Sequence, residues 1–505
     1  MKLIKEWFKP VILLLVIVGV AFFIRSYNLT SLPVFADEAI YVRWSQVMQA
    51  ESTLRFLPLS DGKQPLFMWV VIPFLKVFSD PLYAARFVSV LTGIGTLVGI
   101  FVASNLLFKS KKVSLISSFI FALSPYAVFF DRLSLADSML SMFGVWVFIG
   151  GILIARTVRL DVALLTGFVL GFAYLTKSPS LFFALMLPST FLLTRLPKEA
   201  KMLHILKLGG LLLVVYVITT GIFNILRLGP NFQLLESRNF DYVYPYSHIL
   251  TSPLDPLKPY ADRILEYYRM IGPLALVFLS LLGLYSFKKY PKEIFLLLIW
   301  GLVPVFIVSE FSKTMTARYA LFTIPYFVLI AGSIFLENKS KIIKYLSYAL
   351  LAFFVFQSVS INKLLLTDVE KAPLPRSERS GYLEEWTAGQ GIKEISEFLK
   401  SEYLKNPDKK IVVGTEGYFG TLPDGLLIYM ADTPQVLVIG IGLELDKIPK
   451  PLVESEKSGN VTYLVANSTR LFATPEDLGL EIVKSYPKAI KPDGGLETLY
   501  LFKVN

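Results

Sequence analysis

The sequence predicts a polytopic α-helical membrane protein with about 11 transmembrane helices, followed by a soluble, mixed α/β C-terminal domain. Three observations carry this. Of the 505 residues, 54% are apolar and only 18% charged, against roughly 25% charged in an average soluble domain. The apolar residues gather into runs approaching the length a helix needs to satisfy its backbone inside hydrocarbon. After residue 362 those runs stop, and Gly, Pro and charged residues rise. The composition excludes disorder and an ordinary soluble enzyme. With no Cys, it also excludes a disulfide framework, a thiolate nucleophile and a Cys-based zinc site.

Spans are expected at about 10–24, 83–107, 113–130, 137–155, 162–176, 180–196, 204–226, 272–287, 293–309, 319–336 and 342–362. Several are short, with aromatic and long basic residues placed to reach the interface. The first, behind Lys2, Lys5 and Lys9, resembles the apolar stretch of a signal peptide. No small-residue cleavage site follows it, so it reads as an anchor.

The formal net charge of +11 fits either nucleic acid binding or the positive-inside bias of a membrane protein. Position decides between them. Six basic clusters fall in every second loop along the chain, on one side: Lys2, Lys5 and Lys9; Lys109, Lys111 and Lys112; Arg156 and Arg159; Arg195, Lys198 and Lys201; Lys288, Lys289 and Lys292; Lys339, Lys341 and Lys344. They contain few acids, namely Glu6, Asp161, Glu199, Glu293 and Glu337, whereas the alternate loops mix both signs. The N-terminus is therefore expected in the cytoplasm, the span count is odd, and the C-terminal domain is extracytoplasmic. The expected location is the cell (plasma) membrane, the lipid bilayer is a partner, and nucleic acid is not.

Two domains follow: a transmembrane domain over 1–362 and an extracytoplasmic α/β domain over 363–505. The first outer loop, 25–82, is long. Residues 65–78 are nearly all apolar, but the run is short and carries Pro73 and Lys76, so it reads as re-entrant or interfacial. Ile40, Trp44, Val47 and Met48 have the spacing of an amphipathic helix lying in the membrane plane. In the C-terminal domain, Ile392, Ile395 and Leu399 mark a helix, and Ile411–Val413, Val436–Ile439, Val461–Val465 and Leu499–Val504 read as strands.

Three groups of residues can carry chemistry. Asp37-Glu38 puts two adjacent carboxylates close after a span. The pair is either a general base for a hydroxyl acceptor or the dipole-stabilised first turn of the following helix. Lys63, Arg86, Lys177 and Arg318 all fall on the outer face, where the positive-inside rule does not ask for them. Singly each is a snorkelling side chain; together they suit an anionic group such as phosphate, Lys as point charge and Arg as bidentate clamp. Asp131-Arg132 and Asp137 lie at an outer junction of two spans. Asp131 and Arg132 can pair with each other, and Asp137 can cap a helix, share base duty or hold a divalent metal ion. No cofactor beyond that possible cation is expected, and hard-cation sites usually need several carboxylates. His204 and His248 lack partners at metal spacing, and Gly414, Gly417 and Gly420 read as a turn. Asn28, Asn460 and Asn467 begin N-x-Ser/Thr sequons, a pattern common by chance.

With only short cytoplasmic loops, outward-facing residues cannot draw on cytoplasmic nucleotides. An activated substrate would arrive in the bilayer as a lipid phosphate, whose leaving charge Lys63, Lys177 and Arg318 can stabilise.

Phe35-Ala36-Asp37-Glu38-Ala39-Ile40-Tyr41, then Lys63-Gln64-Pro65-Leu66 and Ala85-Arg86, resemble the first outer loop of the GT-C glycosyltransferases. The closest likeness is to the protein O-mannosyltransferase and aminoarabinose (lipid A) transferase group. Arg132 to Asp137, Leu175-Thr176-Lys177 and Arg318-Tyr319 fall where that family has similar short motifs. The chain departs from the aminoarabinose pattern at Asp61-Gly62, in place of an acid adjacent to the lysine, and at Gln64, where proline is common. The resemblance covers about residues 10–330. It implies a polyprenyl-phosphate sugar donor, a lipid, glycan or protein acceptor, and an inverting transfer at the outer face. It implies Asp37 as base, supported by Glu38 and Tyr41, and Lys63, Lys177 and Arg318 as donor-phosphate ligands. Arg86, Arg132 and Tyr319 join the substrate-binding set and Asp137 the catalytic one.

The alternative is a polytopic transporter or flippase for a lipid-linked or anionic substrate. Such sites usually lie near the midplane on broken helices in repeated halves, whereas these ionisable residues sit at span ends.

Overall fold

The computed structural model describes residues 2–336 and 340–504, with backbone only over 2–5. Glu337 and Lys339 of the last basic cluster lie outside the described residues, as do the side chains of Lys2 and Lys5. The helices that position the site are, in chain order, α1 (Lys2–Ser26), α2 (Ala36–Ala50), α3 (Leu66–Leu75), α4 (Pro81–Phe108), α5 (Lys111–Leu123), α6 (Pro125–Phe130), α7 (Ala136–Thr157) and α8 (Leu160–Thr176). The chain forms two compact units. One comprises Met1–Tyr27, Arg55–Phe67 and Phe87–Pro375; the other Asn28–Leu54, Met68–Arg86 and Arg376–Asn505.

The first unit is helical. Among the described residues six helices are long and apolar enough to cross a membrane: Glu6–Ser26, Pro81–Phe108, Ala136–Thr157, Lys201–Leu228, Pro291–Phe311 and Lys341–Thr367. Leu15, Leu165, Leu206, Leu213 and Phe356 point outward and exposed, an arrangement that calls for lipid rather than water. Leu257–Met270 and Leu274–Lys288 form a pair bent by 104°. The break falls at Gly272-Pro273, where proline cannot continue the hydrogen-bond ladder. Leu160–Thr176, Ser178–Leu193 and Ala317–Ser333 are apolar but shorter.

The expected span at 113–130 is not one continuous helix. It breaks into α5 and α6 at Ser124-Pro125, where Ser124 leaves the helical region (ψ 114). A residue before proline is pushed to extended backbone, which the run of apolar residues conceals.

The second unit holds five strands: β1 (Ile411–Thr415), β2 (Val436–Gly440), β3 (Val461–Asn467), β4 (Leu480–Pro487) and β5 (Thr498–Val504). Their order is β2-β1-β3-β5-β4. The first three are parallel, with Val413 opposite Val438 and Tyr463, while β5 runs antiparallel to β3 and β4 antiparallel to β5. The core is Val412, Leu452, Leu464, Phe502 and their neighbours. β4 is the strand that sequence reading misses. Its residues are half polar, and an irregularity between Ile482 and Lys484 spoils the alternation.

The helix expected in the membrane plane is α2. Its stripe of Ile40, Trp44 and Met48 is buried by protein, for α2 packs on the helix Asp424–Met430 and Trp44 lies 5.7 Å from Phe419. The partner comes from nearly the other end of the sequence, so local spacing could not reveal it. α3 has ten residues. At 1.5 Å per residue it is about 15 Å long, roughly half the hydrocarbon thickness.

Candidate active site

Asp37 and Glu38 occupy the first turn of α2, and their surroundings differ sharply. Glu38 is wholly buried. Its Oε1 accepts from Arg86 Nε at 2.8 Å and its Oε2 from Nη2 at 2.6 Å, a bidentate pair. Oε2 also accepts the Phe35 N–H at 3.1 Å, capping the helix. The same guanidinium donates to the carbonyls of Leu29, Leu32 and Pro33 at 2.9, 2.8 and 3.1 Å. Arg86 therefore fixes the segment that leads into α2. Asp37 beside them is half-buried, with its carboxylate at a helix N-terminus that favours the anion. Tyr41 is buried one turn on, its ring stacked 6.2 Å from Trp44.

The first unit gathers a second group. Asp137 is the second residue of α7, and Lys177 directly follows α8. Lys177 Nζ donates to Asp137 Oδ1 at 2.6 Å and lies 5.2 Å over the ring of Tyr319. Arg318 lies 5.7 Å over the same ring. Gln64 Nε2 donates to Ser178 Oγ at 2.8 Å, tying the Lys63 segment to the Lys177 segment. Lys63 pairs with Asp61 at 3.2 Å, and Arg238 reaches the same carboxylate at 3.6 Å. Gly62 between them has φ +62, and a Cβ there would meet Arg238 Cβ at 2.4 Å. Only glycine fits that turn. The acid expected beside the lysine is thus displaced by one residue and still reaches it.

Asp131 and Arg132 do not pair with each other. Asp131 accepts from Arg25 Nε at 2.8 Å and from the Ser138 hydroxyl. Arg132 Nη1 donates to the carbonyls of Ile24, Arg25 and Tyr27 at 3.1, 3.0 and 2.7 Å, closing the C-terminal end of α1. Arg25 also donates to Ala122 O at 2.9 Å, joining α1 to the end of α5. Sequence reasoning missed Arg25. Its signal was available: a lone arginine at the C-terminal end of the first expected span.

Glu310 is a second omission. It lies in the last turn of the helix Pro291–Phe311, wholly buried, with neither carboxylate oxygen hydrogen-bonded among the described residues. Among the described residues no three His, Asp or Glu side chains are grouped so as to hold a metal ion. Asn467 is buried and donates its amide to Glu416 at 2.7 Å, which closes it as a glycan acceptor.

Residues 62–223 match the family model of the dolichyl-phosphate-mannose-protein mannosyltransferases. No curated protein sequence matches the chain. Among solved structures, ArnT from Cupriavidus metallidurans bound to undecaprenyl phosphate has 15% identity and a TM-score of 0.55, with 97% of each chain covered. The same protein in its apo state has 14% identity and a TM-score of 0.57, covering 98% of each. The archaeal oligosaccharyltransferase AglB from Archaeoglobus fulgidus, in complex with an inhibitory peptide and a dolichol-phosphate, has 12% identity and a TM-score of 0.51. That match covers 98% of this chain and 74% of AglB. The chain accordingly has the fold of the GT-C glycosyltransferases, and its residues 62–223 match the dolichyl-phosphate-mannose-protein mannosyltransferase family.

Proposed function

We propose that the protein is a membrane glycosyltransferase that moves a sugar from a polyprenyl-phosphate donor to a hydroxyl acceptor at the outer membrane face. The observation that carries the reading is the division of labour in Asp37-Glu38. Both oxygens of Glu38 are engaged by Arg86, and one also by the Phe35 N–H, so Glu38 is a positioning residue. Asp37 is the acid of the pair suited to take a proton. In a single displacement the acceptor oxygen attacks the anomeric carbon, Asp37 removes its proton, and the bond to the phosphate oxygen breaks with inversion. The departing polyprenyl phosphate carries the developing charge to Lys177, with Lys63 and Arg318 as further ligands. Tyr319 lies beneath the Lys177 ammonium and Asp137 orients it.

The accompanying topology has eleven crossings, the shorter apolar helices included, and a cytoplasmic N-terminus. The catalytic half runs over 1–362 in the plasma membrane, and 363–505 lie outside the cell. The alternation of the basic clusters supports this arrangement.

Asp37→Asn tests the base. In purified membranes it should leave the protein folded and abolish sugar transfer from a polyprenyl-phosphate donor; full activity in that variant removes the assignment. Mass spectrometry of lipid and protein glycans, from cells with and without the gene, identifies the sugar and its acceptor.

A further inference from the structure

Within the second unit, residues 376–390 lie against the segment that leads into α2, although the two come from opposite ends of the chain. The Ala36 N–H, one of the orphan donors of the first helical turn, donates to Thr387 O at 3.1 Å. Phe35 pairs with Ala388 as an antiparallel bridge, and its ring lies 4.3 Å from that of Tyr382. Gly389 comes so close that a Cβ there would meet Val34 O at 2.4 Å. Phe35 is extended (φ −93, ψ 154), and the helix starts at the next residue. The three residues before Asp37 are thus gripped through backbone, ring and close approach.

The grip is itself braced. Tyr382 is buried in a single π-turn, Ser380–Glu384, closed by the Glu385 N–H on Ser380 O at 3.0 Å. Such turns are rare and recur at functional sites. Glu384 ends the turn wholly buried, held by Arg376 and by Arg379 Nε at 2.8 Å. The Thr387 hydroxyl donates to Gly381 O at 2.7 Å. The residues after β4 tie the segment to the sheet. The Ala489 N–H donates to Leu383 O at 3.0 Å, Lys488 Nζ to Glu385 O at 3.0 Å, and Lys491 pairs with Glu385 at 3.1 Å.

Arg86 fixes the carbonyls of Leu29, Leu32 and Pro33 together with Glu38, and residues 382–389 fix Val34 to Ala36. The backbone on both sides of Asp37 is therefore set. A general base works only within hydrogen-bond reach of the proton it takes, and an error of about 1 Å can cost about a hundredfold in rate. Supporting residues with locked side chains are what hold a group to that tolerance. We infer that residues 376–390 are a clasp that positions Asp37 for proton removal, with Tyr382 as its chief positioning side chain. The inference rests on the transferase reading for the role of Asp37, and it makes the C-terminal domain part of the catalytic machinery.

The test pairs kinetics with amide hydrogen exchange in the purified full-length protein. Tyr382→Leu removes the ring. Gly389→Ala drives Val34 O back by about 1 Å, and Gly389 lies outside the left-handed region, so alanine brings no strain of its own. Each should lower kcat about tenfold or more. KM for the polyprenyl-phosphate sugar should change less than about threefold, since Lys63, Lys177 and Arg318 belong to the first unit. Each should also speed exchange of the peptide carrying the Ala36 N–H about tenfold or more. Tyr382→Phe keeps the ring and should keep both wild-type values. Leu452→Ala, in the core of the sheet, should lower the melting temperature and leave kcat and the exchange at Ala36 unchanged. If Gly389→Ala does not fold, the Tyr382 pair decides. Unchanged kcat in the clasp variants, an equal fall in Leu452→Ala, or a Tyr382→Phe as poor as Tyr382→Leu overturns the inference. Exchange needs no turnover, so the two readings fail separately. A wild type that transfers no sugar, with exchange responding as expected, removes the transferase reading and leaves the clasp as the holder of the turn. Transfer that ignores the clasp variants removes the clasp alone.

Discussion

Lys177 donates to Asp137 at 2.6 Å while its ammonium lies 5.2 Å over the ring of Tyr319. A carboxylate and an aromatic face thus hold the cation in one place, and a lipid phosphate would compete with Asp137 for it. On the proposed transferase reading, Lys177→Met should weaken binding of a polyprenyl phosphate about tenfold or more, the loss of one charge-assisted contact. Asp137→Asn keeps a hydrogen-bonding group but removes the competing charge, so phosphate affinity should hold or rise while transfer falls. Titration calorimetry in detergent measures both. A loss in Asp137→Asn as deep as that in Lys177→Met would show that the ion pair serves folding and not phosphate.

The adjacent acids of α2 should separate stability from activity. Arg86→Met leaves the Glu38 carboxylate wholly buried without its guanidinium and releases the carbonyls of Leu29, Leu32 and Pro33. Losing one partner of a buried ion pair costs about 3–5 kcal/mol. Asp37→Asn changes a half-buried group at the helix start, at a cost of about 1 kcal/mol or less. Both variants should lose transfer; only Arg86→Met should lower the melting temperature substantially, as read by scanning fluorimetry. A comparable drop in both would mean that Asp37, too, is a structural residue.

The junction of α1 with α5 and α6 depends on Arg25 and Asp131, at 0% and 3% side-chain exposure and 2.8 Å apart. Arg25→Met and Asp131→Leu should each destabilise by several kcal/mol, since each leaves a buried charge alone. The double variant should be no less stable than the worse single one, because no orphan charge remains. Strictly additive losses in melting measurements would contradict direct coupling. Gly93 backs Asp131 so closely that a Cβ would lie 2.4 Å from its Oδ2, so Gly93→Ala should weaken the same junction.

Most of the helical architecture could be read in the sequence because hydrocarbon imposes a strong length rule, and the parallel strands because buried β-branched runs are conspicuous. The breaks were less visible. Ser124-Pro125 and Gly272-Pro273 interrupt apolar stretches that a count of hydrophobic residues passes over. At the site, residue identities were legible and partnerships were not. Lys177 and Asp137 are 40 residues apart and Glu38 and Arg86 are 48 apart, so no spacing rule joins them. Asp131-Arg132 shows the reverse: adjacent opposite charges invite pairing with each other, yet both turn to the end of α1, Asp131 to the Arg25 side chain and Arg132 to the carbonyls of Ile24, Arg25 and Tyr27. Glu310 and Arg25 were overlooked because single ionisable residues at span ends read as interfacial.

Directly after β4, Lys488 is buried and its Nζ donates to Glu385 O at 3.0 Å. Burial pushes its ammonium down from 10.5 to about 8, against the opposing pull of Glu497 and Glu416. The folded protein therefore releases this proton more readily than the unfolded chain does. Between pH 8 and 10.5 the unfolded state holds more protons at this group, so its contribution makes stability rise as pH increases through that window. The full span is worth on the order of 3 kcal/mol. Below pH 8 both states are protonated and the contribution is flat. Lys488→Met should abolish the rise, so the melting temperature of the wild type should shift upward relative to that of the variant as pH goes from 8 to 10. A difference that stays constant over that range would mean that Lys488 keeps its proton when folded, with Glu416 and Glu497 outweighing burial.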